Sequence, residues 1–109
     1  MDSNRIKMLE NYRIEDPNDP FPIYGLALEF IASNPLQSLG LFEELLEKFP
    51  SYTATYYHAA DLYVDLERYE EAKRTYKQGI DILQGLGTDQ KALAELQNAY
   101  QNFLVEIDD

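Results

Sequence analysis

The chain has 109 residues, a hydrophobic fraction of 45%, no cysteine, and a formal charge of −11 from nine basic against twenty acidic residues. A single domain of this length buries about 60–65% of its unfolded surface, and the apolar content excludes wholesale disorder. The absence of cysteine excludes disulfides, thiolate metal sites and a thiol nucleophile, and the few scattered cations exclude the basic face that nucleic acid or an anionic membrane demands.

The N-terminal segment MDSNRIKMLENY has no apolar run long enough for a signal peptide. Ser3 is the expected N-cap of a first helix, 3–15, whose Ile6, Leu9 and Ile14, with the Tyr12–Arg13 spacing, fit one face. The prolines of EDPNDP (Glu15 to Pro20) break it, since each lacks an N–H and restricts the residue before it. Asp19-Pro20 then signals a helix start, and Ile23, Leu26, Ala27 and Phe30 follow the i, i+3, i+4, i+7 pattern.

Asn34-Pro35 repeats the cap-then-proline signal and opens a third helix, with Leu36, Leu39, Phe42, Leu45, Leu46 and Phe49 as its apolar stripe and Pro50 as its stop. A fourth helix is predicted from about Thr53 to Leu66 and a fifth from about Tyr69 to Leu83. QGLGT (Gln84 to Thr88) reads as a glycine stop followed by a new N-cap. The last helix, 88–107, sets Leu93, Leu96, Tyr100, Phe103, Leu104 and Ile107 on one face, with Asp108-Asp109 expected to fray. No segment alternates as a strand does, and none approaches the ~20 apolar residues that span a bilayer. The fold class is all-α, and a soluble, cytoplasmic protein is expected.

The helices repeat. YGLALEF (Tyr24 to Phe30) aligns with YHAADLY (Tyr57 to Tyr63) at an offset of 33 residues, and SLGLFEELL (Ser38 to Leu46) with AKRTYKQGI (Ala72 to Ile80) at 34. The one-residue difference falls in the SNPL loop. Small residues at Ala27, Ala60 and Ala72 let antiparallel helices approach closely, and aromatics one turn away fill the space beside them. A hairpin with two apolar faces cannot bury both alone, so hairpins must stack.

The unit from Thr53 to Gln84 resembles a tetratricopeptide repeat, known by its period of ~34 residues and its small and aromatic positions. Tyr56 stands at the aromatic place usually held by Trp. Ala59 and Ala60 hold the Leu-Gly place, Tyr63 the Tyr place, and Ala72 the most characteristic Ala. Tyr69, Tyr76 and Gly79 hold the aromatic and small places of the second helix. Glu67 departs from the Gly common at the turn, and Gln84 from the terminal Pro. The unit 19–50 keeps Ala27, Phe42 and Pro50 but carries Ser38 for the characteristic Ala. The resemblance covers over half the chain. It implies a right-handed stack of antiparallel helical hairpins, an α-solenoid, with repeats at 19–50 and 53–84 and flanking capping helices at 3–15 and 88–107.

The resemblance also implies that the first helix of each hairpin lines a concave groove for a partner's peptide or helix. By position the groove residues are Tyr24, Leu28, Ile31, Tyr57, His58, Asp61 and Asp65. Helical geometry supports part of this independently: His58, Asp61 and Asp65 are spaced i, i+3, i+7 and share a face opposite Ala59, Ala60 and Tyr63. The family's carboxylate clamp of Lys, Arg and Asn has no counterpart among these residues. Carboxylates beside tyrosines suit a Lys, an Arg or a free amine with an aromatic or apolar neighbour, unless they are only a solvated face.

His58, Asp61 and Asp65 could offer N and O ligands to a divalent ion, with Glu29 as a further donor, but without thiols or a second His no metal site is assigned. Phosphate loop, nucleophile elbow and zinc signature are all missing, so no catalytic residue and no cofactor is assigned either. Arg68, Lys73, Arg74 and Lys77 sit among acids as a mixed-charge face. The expected function is a non-catalytic adaptor that binds a protein or peptide partner, a basic one if charge selects it. The alternative is a homodimer or larger homo-oligomer whose groove or end faces are filled by its own copy.

Overall fold

A computed structural model describes residues 2–108. Among them are six α-helices and no strand: α1 (Ser3–Glu15), α2 (Phe21–Phe30), α3 (Pro35–Lys48), α4 (Ala54–Asp65), α5 (Tyr69–Leu86) and α6 (Gln90–Asp108). The all-α class expected from periodicity is observed. The chain divides into two compact units, one reaching Thr55 and the other starting at Tyr56.

In the first unit, α1 is capped one residue earlier than expected. The Asp2 carboxylate accepts from the N–H groups of Asn4 and Arg5, both at 3.1 Å, and its charge complements the positive helix end better than a Ser3 hydroxyl. Leu9 is buried against α2 at Gly25, where an added Cβ would lie 3.0 Å from both Leu9 methyls. Ile14, expected on that face, is 78% exposed, because five residues beyond Leu9 is about 140° round the helix.

Asp19 accepts from the Phe21 N–H at 3.0 Å and so starts α2, with Pro22 tolerated in the first turn. Asn34 caps α3 by accepting from Gln37 N–H at 3.3 Å, with Pro35 as first helical residue. Leu39, Phe42 and Leu45 are buried, whereas Leu36 is 69% exposed. Helical side chains lean toward the N-terminus, so Leu36 projects past the start of α3. At the crossing of α2 and α3, Ala27 and Ser38 are both fully buried, and the Ser38 hydroxyl donates to the Ala27 carbonyl at 2.6 Å.

Two ion pairs pin α1 to this unit: Arg5 with Glu29 at 2.6 Å, and Arg13 with Glu44. Lys48 reaches Glu44 as well, at 3.2 Å. Burial alone would raise the Glu44 carboxyl, but the hydrogen bonds and charges of Arg13 and Lys48 outweigh it and hold the group below the usual range.

In the second unit, α4 ends in a paired-bond cap: Arg68 N–H donates to Tyr63 C=O at 2.8 Å and Glu67 N–H to Val64 C=O at 2.9 Å. The residue turning the chain is Glu67, with φ of 60°, the left-handed region that favours glycine. Arg68 lies 5.3 Å over the Tyr63 ring and pairs with Glu71.

Helix α5 runs past Gly85 and stops at Gly87, whose φ is 64° and whose N–H donates to Leu83 C=O at 3.0 Å. It is therefore about a turn longer than expected. Asp89 caps α6 by accepting from Ala92 N–H at 2.9 Å, where the pattern suggested Thr88. The helix continues to Asp108; of the two residues expected to fray, Asp109 lies outside the described residues.

Helices α4 and α6 both approach α5 closely at Gly79. A Cβ there would fall 2.7 Å from Tyr56 Cβ, Tyr56 Cγ and Leu96 Cδ2. Ala59, Ala60 and Ala72 are fully buried too, as the small positions required. Tyr76 packs between α5 and α6, with centroids 5.4 Å from Tyr100 and 5.5 Å from Phe103.

Candidate functional site

The second unit carries a cleft of about 180 Å³ whose walls come from three helices. Helix α4 supplies Tyr57, Asp61 and Val64, spaced i, i+4, i+7. Helix α6 supplies Ala99, Asn102, Phe103 and Glu106, spaced i, i+3, i+4, i+7. Tyr76 of α5 completes it. Each set is therefore one helical stripe.

Tyr57 is 46% exposed and stands edge-on to His58, with ring centroids 5.7 Å apart. Asp61 is exposed, but partial burial and then the charge of Asp65 push its carboxyl up, against the opposing effect of His58. Burial in turn lowers His58 more than Asp61 raises it, which favours the neutral imidazole near neutral pH. The Tyr76 phenol is pushed up to about 12, by burial first and then by Asp61, Tyr57, Glu106 and Asp65. The cleft is thus a region of negative potential over an aromatic floor.

Of the residues assigned from sequence, Tyr57 and Asp61 line this cleft. Asp65 acts on it through its charge, and His58 through Tyr57 and Asp61. Tyr24, Leu28 and Ile31 belong to the first unit and are half-buried. Tyr24 meets Tyr52 edge-to-face at 5.6 Å, and burial raises both phenols. A larger open cleft of about 350 Å³ lies in that unit, lined by Pro20, Lys48, Phe49, Pro50, Ser51 and Tyr52. Glu29, considered as a fourth metal donor, is instead paired with Arg5.

Sequence reasoning missed Asn102 and Glu106. The available signal was their i, i+4 spacing on the same stripe as Ala99 and Phe103. A search for apolar positions passes over the polar members of such a stripe.

The chain matches the tetratricopeptide repeat family over residues 30–99. It is similar to a tetratricopeptide repeat domain protein from Salinibacter ruber whose structure was solved in solution by NMR, at 47% identity and a TM-score of 0.74, with 81% of this chain and 89% of that one covered. The chain belongs to the tetratricopeptide repeat family. A crystal structure of a tetratricopeptide repeat domain protein from the same organism is similar too, at 46% identity and a TM-score of 0.73, covering 78% of this chain and 94% of that one. No curated protein matches.

Tetratricopeptide repeats are general protein–protein interaction modules, typically non-catalytic scaffolds that bind protein partners. Among the described residues, no helix is long and apolar enough to cross a membrane.

Proposed function

We propose that this tetratricopeptide repeat protein is a non-catalytic adaptor whose α4–α6 cleft holds a basic segment of a partner protein. The observation that carries the reading is the convergence of Tyr57 and Asp61 with Asn102 and Glu106 over the Tyr76–Phe103 floor. A carboxylate on each of two helices attracts a cation, and the aromatic and apolar lining covers the carbon atoms beside it. The adaptor is built on repeats 19–50 and 53–84 between capping helices, and it acts in the cytoplasm, as its cysteine-free composition permits. Tyr24, Leu28 and Ile31 are further contacts for the partner in the first repeat.

The test is a fluorescence-anisotropy titration with a labelled peptide carrying lysine and arginine beside an aromatic residue, against an acidic peptide of equal length. Wild type is expected to prefer the basic peptide, and Asp61→Lys with Asp65→Lys to lose that preference while retaining helicity. Equal binding by wild type and variant contradicts the reading.

A second reading is a homo-oligomer filled by its own copy. It is favoured by apolar side chains left exposed on the terminal helices: Met8, Tyr12 and Ile14 of α1, and Val105 and Ile107 of α6. Light scattering separates the two. A dimer that Tyr57→Ala dissociates supports self-filling, whereas a monomer in both proteins supports the adaptor.

A further inference from the structure

We infer that α1 is a displaceable internal occupant, and that the α2–α3 face beneath it takes a partner protein's helix carrying arginine, leucine and arginine at i, i+4, i+8. This face belongs to the first unit and does not depend on the reading of the α4–α6 cleft.

Arg5, Leu9 and Arg13 follow one another at four-residue steps, each drifting only about 40° round the helix, so they form one stripe of α1. Each has its own counterpart. Arg5 pairs with Glu29 at 2.6 Å, and Arg13 pairs with Glu44. Between them Leu9 closes on Gly25, where an added Cβ would lie 3.0 Å from both its methyls. Gly25 and Glu29 are also one helical step apart and meet the stripe in reverse order, so α1 lies antiparallel along α2. The receiving face reads acid, slot, acid, which complements cation, leucine, cation in charge and in shape.

What holds α1 on this face is slight. Leu9 is the one buried residue of α1, whereas α2 buries Pro22, Ile23, Gly25, Leu26 and Ala27, and α3 buries Ser38, Leu39, Phe42 and Leu45. A helix of 13 residues is marginal in water without packing, so α1 melts when it leaves. The face itself persists. Ser38 and Ala27 join α2 to α3 without α1, and Glu44 keeps Lys48 at 3.2 Å. The connection 16–20 holds α1 at an effective concentration on the order of millimolar, which a partner must overcome. A helix already folded within a partner loses less entropy on docking and so can displace it. A second copy has no such advantage, since exchanging α1 between copies replaces each contact with an identical one.

The test is a fluorescence-anisotropy titration of the full chain with a labelled peptide of the α1 sequence, residues 2–16. An opened variant carries Arg5→Glu, Leu9→Asp and Arg13→Glu, which unseat α1 and leave the receiving face unchanged. It should bind the peptide about tenfold more tightly than wild type or better, because a closed site lowers apparent affinity by the fraction that is open. Glutamate in place of both peptide arginines, or Glu29→Arg with Glu44→Arg added to the opened variant, should remove the binding. Equal binding by wild type and a folded opened variant, or none to that variant, overturns the inference. A wild-type dimer held by exchanged α1 helices overturns it too, in favour of a second copy.

Should the opened variant not fold, hydrogen exchange on wild type decides. The Leu9 to Arg13 amides should exchange about tenfold faster than those of Phe42 and Leu45. The gap should widen between about 0.1 and about 1 M salt, as the screening length falls from about 10 to about 3 Å. Equal protection of α1 and α3, or a gap indifferent to salt, overturns the inference.

Discussion

The Ser38 hydroxyl donates to the Ala27 carbonyl at 2.6 Å across the α2–α3 crossing, in a place where neither residue is exposed. Ala27 is among the last four residues of α2, whose carbonyls have no intrahelical partner. The departure from the family's characteristic alanine therefore satisfies a buried acceptor. Ser38→Ala is expected to destabilise the protein by roughly 1–3 kcal/mol, the cost of a buried polar group left without its partner. Urea unfolding measures it, and an unchanged midpoint would mean that the Ala27 carbonyl finds another donor.

Glu67 presents the opposite case. It holds φ of 60° at the end of α4 in a turn whose backbone bonds favour glycine. A left-handed conformation costs a residue with a Cβ roughly 1–2 kcal/mol. Glu67→Gly should accordingly stabilise the protein by about 1 kcal/mol, read as a thermal midpoint several degrees higher. A lower midpoint would show that the Glu67 side chain contributes more than its backbone conformation costs.

At Gly79, α4 and α6 both come close to α5. A methyl group there meets Tyr56 Cβ and Cγ at 2.7 Å, and Tyr56 Cβ cannot move without its backbone. Gly79→Ala should cost about 1–3 kcal/mol by overpacking, even though alanine is the better helix former. Gly40, whose Cβ would meet nothing within 4 Å, is the control and should gain stability on the same change.

Asp61 links stability to pH. The groups acting on it are Asp65 and His58 of its own helix, and with Glu106 of α6 it acts on Tyr76 of α5. Its folded pKa is raised, so the folded state binds the proton more tightly than the unfolded one. The resulting stabilisation is fully present below the ordinary aspartate range and is lost as pH rises through the folded value. Asp61→Asn should therefore melt higher than wild type at pH 7, and the difference should disappear below about pH 4. Calorimetry at the two pH values checks this. The same substitution should weaken binding of a basic peptide, so on the proposed reading the carboxylate serves recognition at the expense of stability.

Much of the fold was legible in the sequence because its signals are local. Asn34-Pro35, the apolar stripe Leu39–Phe42–Leu45 and the small residues Ala27, Ala60 and Ala72 act through spacing along one helix. The errors in the helix ends fell where two signals compete within a turn. Asp2 outcompetes Ser3 for the α1 cap, Gly85 is absorbed into α5 while Gly87 ends it, and Asp89 replaces Thr88. The cleft was half legible. Tyr57 and Asp61 could be placed by family position, but Asn102 and Glu106 reach it only through the packing of α6 against α5. Tyr76, which the sequence marks as packing, both packs and opens onto the cleft.

The most direct measurement is a chemical-shift map of the protein titrated with a lysine-containing peptide. The cleft predicts perturbations grouped at Tyr57, Asp61, Asn102 and Glu106, which are abolished by Asp61→Lys with Asp65→Lys. Perturbations confined to the first unit around Tyr24, Leu28 and Ile31, or to the basic residues Lys73 and Lys77 of α5, would contradict it.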